Sequence, residues 1–379
     1  MILTETQRMI RDTTRDFARD TLAPGAAKRD AEAAFPTAEV KELGKLGLMG
    51  ILIPEALGGA GADYLSMALA IEEIAAADGA LSTIVSVQNS LMGAGLLRFG
   101  NDWQKQQFLT PLARGEMLGA FGLSEPQAGS DAAALHCTAK KDGDYYILNG
   151  TKQFITSGKY ADLALVFAVT NKAAGKKGIS AFIVPTKIKG YIVSKLEDKM
   201  GQTSSDTAQI AFEDMRIPAT HLLGNEGDGY KIALANLEGG RIGIAAQSIG
   251  MARAALAVAL PYAKEREAFG KPIIKHQAVA FRLADMATEL EAARQLLHHA
   301  CQLRDAGEPC LKEACMAKLF ASEMAERVCS AAMQTLGGYG YLKDFPIERI
   351  YRDVRVCQIY EGTSDVQRII INRELEHAD

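Results

Sequence analysis

The chain carries no large excess of charge of either sign. Its 42 basic and 46 acidic residues leave a net charge of −4 over 379 residues. That excludes the basic footprint of a nucleic-acid binder and offers nothing to an acidic membrane surface. It has no apolar run of about 18 residues, the length a spanning helix needs. The best candidate, residues 242–260, is interrupted by Gln247 and Arg253 and is rich in Ala and Gly, so it reads as a buried helix. The opening MILTETQRMIRD has neither a basic region nor an apolar stretch behind it, so no signal peptide is read and a cytoplasmic location is expected. Cysteine is sparse. Cys137, Cys301, Cys310, Cys315, Cys329 and Cys357 form no C-x-x-C pair, and no His stands at zinc spacing, so reduced structural thiols are expected. His298-His299 with Cys301 lacks a second ligand cluster, and no metal is expected. Neither internal repeats nor low-complexity segments occur.

What is present falls into three textures, consistent with the two to three domains the length suggests. Residues 1–117 read as helical. The stretch 2–22 is amphipathic and is expected to break at Pro24-Gly25; further helices are read over 39–48, 64–77, 81–99 and 104–113. IPEALGGAGAD (53–63) is Gly-rich but lacks the Lys-Ser/Thr of a phosphate loop and follows no strand, so it reads as a structural loop. Residues 118–228 carry strand candidates at 135–140, 163–169, 179–184, 191–196 and 208–212. A hairpin is expected over 145–156, turning at Asn149-Gly150. Six to eight short strands in about 100 residues suggest a barrel or sandwich. Residues 229–379 return to a helical period. Val279, Leu283, Met286, Leu290 and Leu297 mark one bundle helix, Glu308-Pro309 separates it from the next (311–336), and Gly337–Gly340 is a break. The fold class is therefore α+β, mostly α.

The most suggestive stretch is IYEGTSDVQR (359–368). Gly362 permits conformations other residues avoid, and Ser364 with Gln367 reads as an S-x-x-Q capping box ahead of an apolar run. Glu361 should then sit on a tight turn before a helix start, where a carboxylate among apolar neighbours can act as a base. Taken alone, the stretch favours an ordinary acidic residue placed there for the helix dipole.

Six motifs together resemble the acyl-CoA dehydrogenase family over essentially the whole chain. They are FGLSEPQAGSD (121–131), NGTKQFITSG (149–158), LEGGRIGIAAQSIG (237–250), EREAFGKPIIKHQ (265–277), QTLGGYGY (334–341) and YRDVRVCQIYEGTSDVQR (351–368). The resemblance implies an N-terminal helical domain, a middle β domain and a C-terminal four-helix bundle. It also implies a homotetramer, a dimer of dimers, with FAD bound partly across a subunit interface. The implied reaction is introduction of a double bond between Cα and Cβ of an acyl-CoA thioester, with electrons passed to an electron-transfer flavoprotein. An acyl-CoA oxidase, or a flavin- or CoA-binding member without catalysis, is the alternative. The chemistry requires a base for the weakly acidic α-proton and a redox cofactor for the β-hydride, since no side chain accepts one.

By the same resemblance Glu361 is the base and flavin N5 the hydride acceptor. The thioester oxygen is held by the backbone N–H of Glu361 and a ribityl hydroxyl. Some relatives place the base just before the Arg of LEGGR; that residue here is Gly240, which cannot serve. Glu238, two residues before Gly240, is a poorer candidate for the base and reads rather as a pocket-edge or CoA-contacting residue. Arg241, Ser130 and Gly362 fall at substrate-contacting positions, although Arg241 also suits an ion pair of the bundle, and Ser130 a turn. Phe121, Leu123 and Ser124 align with the flavin-ring edge, and Phe154 and Thr156 with the stacking aromatic and a hydroxyl near N5. Many relatives carry Trp where Phe154 stands. Arg266, Phe269, Gln277, Gln334, Gly337, Gly338 and Thr363 align with positions holding the pyrophosphate and adenosine. SVQNSLMGAG (86–95) and LEGGRIGIAAQ are most similar to short-chain and short branched-chain members.

Overall fold

The computed structural model describes residues 2–377. Thr4 starts α1 (Glu5–Phe17). Its hydroxyl accepts from the N–H of Gln7 at 3.2 Å, and the Gln7 side chain accepts from the N–H of Thr4 at 2.9 Å. Two orphan donors are thus satisfied at once. The expected break at Pro24-Gly25 does not occur. A π turn over Ala18–Leu22 runs directly into α2 (Ala23–Glu32), with Pro24 in its first turn. There the missing N–H is tolerated, and the wider π turn accommodates the ring.

After α3 (Thr37–Lys45), α4 (Tyr64–Ala77) is capped by Asp63. A continuous rod follows: α5 (Gly79–Ser86), a π turn (Val87–Gly93) and α6 (Ala94–Phe99). The rod's polar residues tie neighbouring segments to it. Buried Asn89 accepts from the N–H of Ile51 and donates to the carbonyl of Leu48, and buried Gln88 accepts from the N–H of Gly119. Short α7 (Asp102–Gln104) and α8 (Thr110–Ala113) flank a third π turn, Lys105–Leu109.

The middle of the chain is one eight-stranded sheet. Its strands are β1 (Gly119–Gly122), β2 (Thr138–Asp142), β3 (Tyr145–Thr156), β4 (Leu163–Val169), β5 (Ile179–Pro185), β6 (Tyr191–Leu196), β7 (Thr207–Pro218) and β8 (Leu222–Leu223). The order is β6-β7-β3-β2-β4-β5-β8, with β1 added parallel to β4. β4 is apolar throughout because both of its faces are covered. Leu163, Leu165 and Phe167 pack against the N-terminal helices, while Ala164, Val166 and Ala168 pack inside the β domain.

The expected turn at Asn149-Gly150 is absent. Asp142 pairs with Tyr145, so the hairpin turns at Gly143-Asp144 and β3 runs on unbroken. Asn149-Gly150 is a bulge instead: Asn149 exchanges bonds with Asp214, and a Cβ on Gly150 would strike Cys137. Tertiary pairing with β7 overrides the local turn preference.

The last third holds α9 (Gly229–Glu265), a two-strand ribbon of β9 (Glu267–Ala268) and β10 (Lys271–Pro272), α10 (Gln277–Asp305), α11 (Leu311–Leu336), α12 (Ile347–Val354) and α13 (Ser364–Glu376). Leu283, Met286, Leu290 and Leu297 are buried on α10 as their spacing predicts. Helices from both ends of the chain share one core, which joins α4 and α5 to α9, α10 and α11. The rod over residues 79–99 and α9 are each long and apolar enough to span a bilayer, whereas the sequence was expected to hold no such run. Of an apolar 18-residue stretch in each, 89% and 72% is buried within the protein, as in core helices.

Candidate active site

The site is built on the turn between α12 and α13. Glu361 has φ 55° and Gly362 φ 87°, so two consecutive residues adopt the left-handed region, a conformation a glutamate takes only when its surroundings enforce it. The cap of α13 is Thr363, whose hydroxyl accepts from the N–H of Val366 at 3.3 Å. Ser364 is therefore not the cap, and the expected Ser364–Gln367 box does not form. Gln367, fully buried, turns back instead. Its amide donates to the carbonyls of Glu361 (3.2 Å) and Gly362 (2.8 Å). On the other side, the Tyr360 hydroxyl donates to Gln247, which donates to Thr83 (2.6 Å), which donates to Gln202 (2.6 Å).

This anchoring aims the Glu361 carboxyl at α9. A Cβ built on Gly240 would stand 2.9 Å from its Cδ and nearer still to Oε2. The carboxyl thus fills the space a side chain at 240 would need. Oε2 is sealed from solvent and has no hydrogen-bond partner among the described residues. Burial pushes the carboxyl up to about 7, against the opposing pull of Arg241 and Lys318. A carboxylate poised near neutrality is matched to proton abstraction. The backbone N–H of Glu361 makes no hydrogen bond within the described residues, leaving a donor beside the base.

Arg241 is buried beside this carboxylate, its Nε without a partner. Glu238 is engaged elsewhere: it accepts from Arg304 (2.6 Å) and from the Cys310 thiol (3.2 Å). Ser130 is exposed on the loop after β1.

Two further groups gather candidate cofactor residues. On the β domain, Phe154 has φ 60° and is 65% exposed, thrust out where the β3–β7 register shifts between Lys152 and Ile155. Thr156 follows at the end of the same strand. Phe121, on β1, packs on Phe167, and Leu123 and Ser124 follow that strand. Sequence reading missed what pins them. Lys152, fully buried, donates to the carbonyl of Leu123 (3.0 Å) and to Glu125 (2.7 Å), while the N–H of Gln153 donates to the carbonyl of Ser124 (2.9 Å). Burial opposes the charge on Glu125, yet Lys152 and the N–H of His136 keep its carboxyl below the usual range.

The second group lines a cavity of about 550 Å³ that brings Arg266, Gln334, Gly337 and Gly338 together. The space at both glycines is open, and Gly337 has φ 60°. Arg266 is exposed and forms no ion pair among the described residues, a free cation for phosphate. Phe269, at the tip of the β9–β10 ribbon, has φ 52° and is 95% exposed; Gln277, at the start of α10, is exposed too. A free arginine, open glycines and an outthrust aromatic suit a dinucleotide. Another cavity, of about 500 Å³, is lined by Arg8, Arg11, Arg15, Arg253 and Arg294, of which Arg15, Arg253 and Arg294 are paired with Glu72, Glu73 or Glu291. No cluster of three or more metal-type side chains occurs among the described residues.

A buried carboxylate pushed up to about 7, a free amide donor beside it and dinucleotide-type surfaces are parts that an oxidoreductase removing an acidic C–H proton would use. Comparison with known proteins agrees. Models of the acyl-CoA dehydrogenase N-terminal, middle and C-terminal domains match residues 4–116, 120–215 and 227–376. An acyl-CoA dehydrogenase of Bacillus subtilis is 50% identical, covering 99% of both chains. The mitochondrial short-chain specific acyl-CoA dehydrogenase of Mus musculus is 50% identical over 97% of this chain and 90% of its own. The butyryl-CoA dehydrogenase structure of Megasphaera elsdenii superposes with a TM-score of 0.98 at 43% identity, covering 99% of both chains. A chain in the structure of the electron transferring flavoprotein of Acidaminococcus fermentans superposes with 0.99 at 48%, covering 100% of both. The chain belongs to the acyl-CoA dehydrogenase family, whose members are FAD-binding oxidoreductases.

Proposed function

We propose that the protein catalyses FAD-dependent α,β-dehydrogenation of a short straight or 2-methyl-branched acyl-CoA to the trans-2-enoyl-CoA, with Glu361 as the base. The observation that carries this is the Glu361 carboxyl: sealed over Gly240, unpartnered at Oε2 and pushed up to about 7. A glutamate there takes the α-proton while its own free N–H donates to the thioester oxygen, stabilising the enolate where charge develops. Arg241 keeps positive potential beside the ionised base. Gly362 gives the turn its shape, and Ser130 and Glu238 belong to the CoA side. FAD, when bound, supplies the hydride acceptor that the chain lacks. Phe121, Leu123, Ser124, Phe154 and Thr156 hold the ring. Arg266, Phe269, Gln277, Gln334, Gly337, Gly338 and Thr363 hold the pyrophosphate and adenosine.

The exposure of Phe269 and Gln277 supports completion of that site by a second copy, in a dimer of dimers. An electron-transfer flavoprotein is the electron acceptor, as the Acidaminococcus likeness suggests, and a cytoplasmic location accords with the chain's composition. The short-chain preference rests on the mouse and Megasphaera relatives.

The test is anaerobic titration with butyryl-CoA, following flavin absorbance, with Glu361→Gln alongside and hexanoyl-, octanoyl- and 2-methylbutyryl-CoA as comparisons. Bleaching of the wild type by the short substrates, and none in the variant on the wild-type timescale, is expected. A flavin-loaded wild type that no acyl-CoA bleaches overturns the activity. A variant that bleaches at the wild-type rate overturns the base.

A further inference from the structure

Two buried side chains converge on one carbonyl at the site, and neither has a part in the reaction as described so far. Lys318 is fully buried on α11, in a row of small residues that includes Cys315, Ala321 and Ser322. Its ammonium donates to the carbonyl of Gly362 at 2.7 Å. Gln367, fully buried on α13, donates to the same carbonyl at 2.8 Å and to that of Glu361 at 3.2 Å. A buried ammonium whose one hydrogen bond in the structure goes to a carbonyl is a poor device for stability alone, because desolvating the charge is unfavourable and a carbonyl compensates it only partly. Burial accordingly pushes Lys318 down to about 8, against the pull of Cys357 and Glu361. What the arrangement does provide is a fixed position for the peptide next to the base, in a turn whose two left-handed residues would otherwise relax.

We propose that Lys318 and Gln367 are the positioning residues of the base: together they clamp the Gly362 carbonyl, and through it hold the Glu361 carboxyl over Gly240. The inference rests on Glu361 being the base. Lys318 has a second effect that Gln367 cannot have. It is one of two cations acting on the Glu361 carboxyl, the other being Arg241 of α9. The groups acting on Lys318 itself are Cys357, Glu361, Arg241 and Cys315. Removing Lys318 therefore disturbs both the position of the base and its acidity, whereas removing the Gln367 amide disturbs position alone.

The experiment compares wild type, Lys318→Met, Gln367→Leu and Glu361→Gln as flavin-loaded protein, after circular dichroism and flavin content confirm folding. Two readouts are taken across pH. One is the rate of flavin reduction at saturating butyryl-CoA. The other needs no turnover: the infrared band of the protonated Glu361 carboxyl in substrate-free protein, assigned by its loss in Glu361→Gln. Lys318→Met is expected to slow reduction at pH 7 by about ten-fold or more and to move both the acid limb and the infrared midpoint to higher pH. Gln367→Leu is expected to slow reduction with the midpoint unmoved.

A folded Lys318→Met that reduces flavin at the wild-type rate with an unmoved midpoint overturns the clamp. Should Lys318→Met not fold, Gln367→Leu decides: wild-type rates overturn the proposal, and a slowed rate with an unmoved midpoint supports it. Failure of the underlying assignment looks different, because Glu361→Gln would then reduce flavin as fast as wild type whatever the clamp variants do.

Discussion

Replacing Glu361 by glutamine removes a carboxyl that the fold makes hard to ionise, so the variant should lose activity and gain stability together. The folded carboxyl titrates at about 7, against 4.5 for an ordinary glutamate. Between those values the unfolded chain has released its proton while the folded protein retains it. Stability therefore falls as pH rises from 4.5 to about 7, and stays lowered above that. The displacement is worth about 3 kcal/mol, an upper figure because part of the side chain meets solvent. Glutamine has the same shape and no charge to desolvate. At pH 8 the flavin-loaded variant should melt a few degrees above wild type, about 3 °C for a protein of this size, and the gap should close near pH 5. Butyryl-CoA should reduce its flavin about 10² to 10⁴ times more slowly. Thermal scans at fixed rate and flavin saturation from pH 5 to 8, with anaerobic stopped-flow on the same samples, measure both. A melting gap that does not vary with pH, or a variant less stable than wild type at pH 8, would refute the burial argument.

Gly240→Ala places a methyl where the Glu361 carboxyl lies; stopped-flow should show flavin reduction slowed about 10²-fold by the misplaced base, with flavin content unchanged. Lys152→Met takes from the buried Glu125 carboxylate its ion-pair partner and leaves it only the hydrogen bonds from Gln127, His136 and Cys137. It should cost about 3–5 kcal/mol in denaturant unfolding, and Lys152→Met with Glu125→Gln should recover part of it. Arg266→Ala removes the free cation at the 550 Å³ cavity; fluorescence titration should find FAD bound about ten- to hundred-fold more weakly.

Secondary structure was legible where local pattern and tertiary context agree. Tyr64–Ala77, Leu163–Val169 and Leu311–Leu336 fall where periodicity and punctuation put them. It was misread where long-range pairing overrules local preference. Asn149-Gly150 carries a turn signature, yet hydrogen bonds to β7 flatten it into a bulge. Pro24-Gly25 carries a break signature, yet a π turn absorbs it. Ser364 looks like a cap, yet Thr363 takes the position and frees Gln367 to bind the carbonyls before it. Lys318 was invisible because a lysine in a helix reads as a solvated face. Its one clue was the row of small residues around it, a burial signal that contradicts the charge.

The sequence by itself determined most of the elements, the identity of the base candidate and the family, because these depend on residue types at fixed spacing along one chain. Only the tertiary structure decided what fits that glutamate to the role proposed for it. Its raised affinity for a proton comes from burial, its direction from a left-handed turn whose carbonyls accept from Lys318 of α11 and Gln367 of α13, and its room from a glycine 121 residues earlier in the chain. Each depends on surfaces brought together from distant segments, and no local pattern records which surfaces will meet.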